Sequence, residues 1–220
     1  MLSIIYLLLW QLLSLVLSLL VFNQFRNMRQ FILPAIILLQ LIQQWYTQFA
    51  NTEWVNSAAA KLLILSVQVA GYGWLLLRYI TIRFVSRFTK LLVWLQALLI
   101  VFAVVPGSSS IAQFYPAMQL LNSFAILIPA ACVLYLMMKY PPQPFQSNSF
   151  PPIVWITIGV MFYYITTCFI HVSTISLSIS ASALEWVGWF ELMRIVQHVV
   201  LYVFFTVAFV ICLRQLHQSL

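Results

Sequence analysis

The fold that the sequence predicts is all-α: a polytopic membrane bundle of seven transmembrane helices, with the amino terminus outside and the carboxyl terminus in the cytoplasm. Three observations predict it. Of the 220 residues, 64% are hydrophobic and only 6% are charged, whereas a soluble domain carries roughly 25% charge. Apolar stretches near the length that crosses a hydrocarbon core recur along the whole chain. The basic residues gather on alternate connections between those stretches. None of the stretches shows the period-two alternation of a porin strand, so each is expected to satisfy its backbone within a helix.

The first stretch, about 2–22, is written in Leu, Ile and Val. It lacks a basic leading segment and a small-x-small cleavage site before Asn23, so it is expected to stay as a span and not to leave as a signal peptide. The connection that follows carries Arg26 and Arg29. The second stretch, about 31–49, opens near Pro34 and holds Gln40, Gln44 and Gln48 at i, i+4 and i+8 in its later half, with Gln43 and Thr47 beside them. The third, about 59–80, begins with Lys61 and carries Gln68. Arg78, Arg83, Arg87 and Lys90 occupy the junction with the fourth, about 89–106. The fifth, about 115–138, has Gln119, Asn122 and Ser123 near its start and Pro129 inside it. Tyr140 to Pro152, with five prolines, reads as a stiff spacer. The sixth, about 151–172, ends at His171, and the seventh covers about 187–213.

Charge sets the orientation. Short cytoplasmic loops collect Lys and Arg, and Arg26, Arg29, Arg78, Arg83, Arg87, Lys90, Lys139 and Arg214 all fall on one side, while Glu53, Glu185 and Glu191 fall on the other. A multi-pass protein of the bacterial inner membrane is the expectation. The spans use nearly the whole length, so no nucleotide-binding domain and no nucleic-acid partner is expected.

Several chemistries are excluded by what is missing. The chain has no Asp, its Cys132, Cys168 and Cys212 lie one to a helix, and its His171, His198 and His217 lie at different depths. That pattern predicts no disulfide framework, metal or other cofactor. The one Gly-x-Ser run, Gly107-Ser108-Ser109, lies in a connection and not inside a span, and the last helix has no Lys for a retinal linkage, so no catalytic residue is expected and the protein is not expected to be an enzyme.

The informative polar residues lie inside the spans, where an ionisable group costs about 2.5–3.5 kcal/mol on insertion scales and needs a partner, water or a function. Glu191, Arg194 and His198 follow each other at i, i+3 and i+7, which puts them on one helix face and lets Glu191 pair with Arg194. Lys61, Gln44 and His171 come from other helices at similar depth. Together they predict a polar cavity in the outer half of the bundle. The competing reading is that the Gln and Asn residues only join helices, at about 0.6 kcal/mol each. On the cytoplasmic side, Arg83, Arg87 and Lys90 form a basic face for anionic lipid headgroups or a protein partner.

From Pro151 the run Pro-Pro-Ile-Val-Trp-Ile-Thr-Ile-Gly-Val-Met-Phe-Tyr-Tyr, with Trp155, Gly159 and Tyr163 and later Tyr202 and Phe205, resembles the last two helices of a family of small seven-helix membrane proteins of Bacteroidetes-type bacteria. Val154 stands where that family has an aromatic residue. The resemblance implies a stand-alone relative of the seven-helix sensor modules that accompany histidine kinases, with no ligand fixed. The chain is therefore expected to be a sensor-like or receptor-like module that signals to a separate partner, a histidine kinase or another signalling protein. A small-solute transporter is the alternative, although Pro34 and Pro129 do not correspond as the matched prolines of a two-repeat sugar transporter would. A structural subunit of a membrane complex is the third reading. The oligomeric state is not written in the sequence.

Overall fold

The structure is a computed structural model that describes residues 2–25, 32–45, 58–104, 115–140, 151–177 and 183–217. Among these residues seven α-helices form: α1 (Leu2–Phe25), α2 (Ile32–Trp45), α3 (Ala58–Leu77), α4 (Arg83–Val104), α5 (Tyr115–Lys139), α6 (Pro152–Leu177) and α7 (Ala183–His217). The expected connections with Arg26, Arg29 and Glu53, the last residues of the second stretch, and most of the five-proline spacer lie outside the described residues.

Among the described residues, four helices contain spans long and apolar enough to cross a membrane: Ala60–Leu77, Ala117–Lys139, Pro152–Ser173 and Gly188–Arg214. Shorter apolar stretches fall at Leu7–Val21 in α1 and Ile32–Gln43 in α2.

Helix ends differ from the apolar windows for a physical reason. The window places the fourth span at residue 89, yet α4 begins at Arg83. Hydropathy stops at the charges, but backbone pairing continues through them, and Arg83, Arg87 and Lys90 are exposed on its first turns. The Ser86 amide donates to the Ile82 carbonyl at 2.9 Å, which closes that first turn. In the same way α7 runs beyond its apolar core at both ends. At 35 residues it is about 52 Å long at 1.5 Å per residue, well beyond a hydrocarbon core of about 30 Å.

The helices pack in the ring order α1, α2, α3, α5, α6, α7 and back to α1, with α4 outside the ring between α3 and α5. The ring has an aromatic middle. Tyr72, Tyr164, Tyr202 and Phe205 are fully buried there beside Ile36, Ile37 and Ile126. Tyr72 meets the edges of Tyr164 at 6.2 Å and Phe205 at 6.3 Å between centroids, within the range where edge-to-face aromatic pairs are favourable.

Close helix approach needs small residues. A Cβ on Gly159 of α6 would come within 2.9 Å of Phe204 Cβ and 3.4 Å of the Leu201 carbonyl oxygen on α7. Only a glycine lets these two backbones come this near, and the contact stacks Trp155 on Phe204 at 5.9 Å.

The bundle is apolar on its outside, and its buried polar residues lie within an otherwise apolar interior. Leu9, Leu91, Trp94, Val101, Leu121, Phe169 and Trp189 are exposed, while Gln11, Ser14, Ser66, Gln96, Asn122, Thr157 and Gln197 are buried. Such a surface is unfavourable in water and suits lipid. Buried hydroxyls bond back to their own helices: Thr157 donates to the Ile153 carbonyl at 2.6 Å, Thr167 to Tyr163 at 2.8 Å and Ser123 to Gln119 at 2.7 Å. The composition, the helices and this surface together describe an integral membrane protein.

Candidate functional site: a polar cavity at one end of the ring

The antiparallel succession brings the end of α2, the start of α3, the start of α5, the end of α6 and the first half of α7 to one end of the bundle. A cavity of about 280 Å³ opens there. Lys61, Ile64, Leu65 and Gln68 line it from α3, Gln43 from α2 and Gln119 from α5. Helix α6 contributes Tyr163, Thr167, Ile170 and His171, and α7 contributes Arg194, Gln197 and His198.

Burial divides these residues into rim and floor. Arg194 is exposed, and Lys61, Gln43, Gln119 and His171 are half-buried. Gln68, Tyr163, Thr167 and Gln197 are buried. Beneath them lies the Tyr72, Tyr164, Tyr202 and Phe205 layer, so within the described residues the cavity ends blind in the middle of the bundle. Further from the mouth the ring is filled by Ala130, Val133, Ala208 and Phe209.

His198 is held in a defined way. Its Nδ1 lies 2.6 Å from the Arg194 carbonyl oxygen, and a carbonyl only accepts, so Nδ1 carries the proton. Nε2 is then left for the cavity as an acceptor in the neutral ring. Tyr163 packs edge-on against the same imidazole, with centroids 5.0 Å apart.

Of the residues that the sequence singles out, Arg194, His198, His171 and Lys61 come together around the cavity. Glu191 is exposed and does not line it, and among the described residues no ion pair joins Glu191 to Arg194. The three positions share a helix stripe, but seven residues of α-helix turn through nearly two full turns and rise about 10 Å. Glu191 lies one turn nearer the helix start than Arg194, exposed and outside the lining. The side chain of Gln44 lies outside the described residues; its neighbour Gln43 lines the cavity. Arg83, Arg87 and Lys90 are exposed at the other end of the bundle, where α3 gives way to α4.

Sequence reasoning missed Tyr163, Thr167 and Gln197 as lining residues. Gln197 had a readable signal, since it lies three residues after Arg194, but a single Gln in a long apolar run gives no helix rotation.

Among the described residues, no three His, Cys, Asp or Glu side chains gather where they could hold a metal ion. Cys132, Cys168 and Cys212 are free thiols. Comparison with known protein families, curated proteins and solved structures finds no match to this chain.

Proposed function

We infer that the chain is a seven-span receptor-like module of the bacterial inner membrane, with its amino terminus outside and its carboxyl terminus in the cytoplasm. A solute enters the cavity from the extracytoplasmic side, and its binding passes to a separate partner, a histidine kinase or another signalling protein. The observation that carries this reading is the position of the cavity. It is blind, it mixes polar floor and charged rim, and it lies at the end of the bundle away from Arg78, Arg83, Arg87, Lys90 and Lys139. The positive-inside rule makes that end extracytoplasmic. Glu191, Arg194, His198, His171, Lys61 and Gln44 remain the proposed ligand region, with Arg194, His198, His171 and Lys61 as its centre and Glu191 at its approach.

Binding shifts a receptor only by its differential affinity for two bundle arrangements. The output surface proposed here is the basic start of α4, with Arg83, Arg87 and Lys90, which also faces membrane lipid headgroups. A solute transporter is the second reading, because a blind cavity is also one face of an alternating-access cycle. Proteoliposomes separate the two. A receptor binds its solute without accumulating it inside the vesicle and retains a signalling protein on purification; uptake that Arg194→Ala abolishes would replace the receptor reading with transport.

A further inference from the structure

We propose that the cavity recognises an oxyanion, the carboxylate or phosphate group of a small solute. This inference rests on the reading of the cavity as a ligand site. Its rim holds two cations, Lys61 and Arg194, from two different helices, and among the described residues no carboxylate lines it. The nearest acidic residue in sequence, Glu191, is exposed and forms no ion pair with Arg194 among the described residues. Two cations that line one space, with no carboxylate beside them among the described residues, are best balanced by an anionic occupant.

The floor points to a hydrogen-bonding occupant rather than to an acyl chain. Gln197 is 4% exposed, and its Oε1 is buried without a partner. Such an orphaned acceptor costs free energy until a donor reaches it, which in this reading is an O–H of the occupant, as in a hydroxy acid or a protonated phosphate, and not the oxyanion itself. Gln68 and Thr167 are buried beside it around the same space. A guanidinium above this polar floor forms the two parallel bonds that match a planar carboxylate or a phosphate. The volume of 280 Å³ corresponds to about nine waters at about 30 Å³ each. That is room for a hydroxy acid, an inorganic phosphate or a small phosphate ester.

The test uses the full chain in nanodiscs of phosphatidylcholine at low salt, with calorimetric titration of malate, inorganic phosphate, glycerol and choline. Saturable binding of malate or phosphate is expected, weakened about tenfold or more by Lys61→Gln and by Arg194→Gln. Arg194→Lys should retain more affinity than Arg194→Gln, and Lys139→Gln at the far end should bind as the parent does. Thermal unfolding of each unliganded variant shows that a loss of binding is not a loss of fold. Discs containing phosphatidylglycerol distinguish the source of the oxyanion. If the anionic lipid stabilises the parent but not Arg194→Gln, while soluble anions are inert, the group is a lipid headgroup. Binding of glycerol or choline without malate or phosphate would overturn the oxyanion inference and leave the cavity as a ligand site. Failure of all solutes and of the anionic lipid on a folded protein would overturn both.

Discussion

The Tyr202 hydroxyl on α7 donates a hydrogen bond to Gln40 Oε1 on α2, joining two residues 162 positions apart in the chain. The same hydroxyl accepts from Gln11 Nε2 on α1 at 3.1 Å. One turn along, Ser14 of α1 donates to the Tyr202 carbonyl at 3.0 Å and lies 2.9 Å from the Thr206 hydroxyl. Because Gln11 and Ser14 meet Tyr202 and Thr206 in the same order, α1 and α7 run parallel, and this network closes the helix ring where its first and last members meet.

Tyr202→Phe removes the hydroxyl that both glutamines use. Interhelical hydrogen bonds in membranes average about 0.6 kcal/mol and reach about 1.7, so a loss of about 1–2 kcal/mol is expected. The double variant Tyr202→Phe with Gln40→Leu should lose less than the sum of the single variants. A double-mutant cycle on unfolding in mixed detergent measures the coupling.

Gly159→Ala places a methyl against Phe204 Cβ and the Leu201 carbonyl, and α6 must shift from α7. Overpacking of this kind costs about 1–3 kcal/mol, read as a lower thermal midpoint in detergent. Gly188→Ala is the matched control: nothing lies within 4 Å of a Cβ there, so its midpoint should stay at or slightly above the parent value.

Gln96 of α4 and Asn122 of α5 exchange two amide hydrogen bonds, at 2.7 and 3.3 Å. These bonds fasten the peripheral helix to the ring. Gln96→Leu leaves a buried carboxamide without partners and should destabilise by about 1–2 kcal/mol. Replacing both with Leu should recover most of that loss, since two apolar side chains leave no orphan. Chemical unfolding of the two single variants and the pair checks the order.

Orientation is tested with single cysteines in a background lacking Cys132, Cys168 and Cys212. Lys61→Cys should react with a membrane-impermeant maleimide added to intact spheroplasts, and Arg87→Cys only after the membrane is opened. The reverse pattern would invert the proposed topology and turn the cavity toward the cytoplasm.

Much of the architecture was legible because it depends on composition alone. Seven apolar stretches predict helix positions to within a few residues, apart from α4, whose amphipathic first turns escape a hydropathy average. The buried face of α1 was also readable in principle. Gln11, Ser14 and Ser18 recur at i, i+3 and i+7 and are all buried, a polar stripe whose inward direction follows once the solvent is lipid. The partners of that stripe were not readable, because a polar stripe shows which face of its own helix turns inward and not which residue of another helix it will meet.

The sequence by itself determined that this protein is a helical membrane protein, since a chain with 6% charged residues cannot cover itself against water. It also determined which end of the bundle holds the polar groups, because residue order fixes the depth of each along its helix. Tertiary structure alone decided which of them share a space. Arg194, His198, His171 and Lys61 converge on one cavity while Glu191 stays outside it, since that outcome depends on helix rotation and ring order. Those follow from side-chain fit between helices, such as Gly159 against Phe204 and Tyr202 between Gln11 and Gln40, and not from any pattern within a single helix.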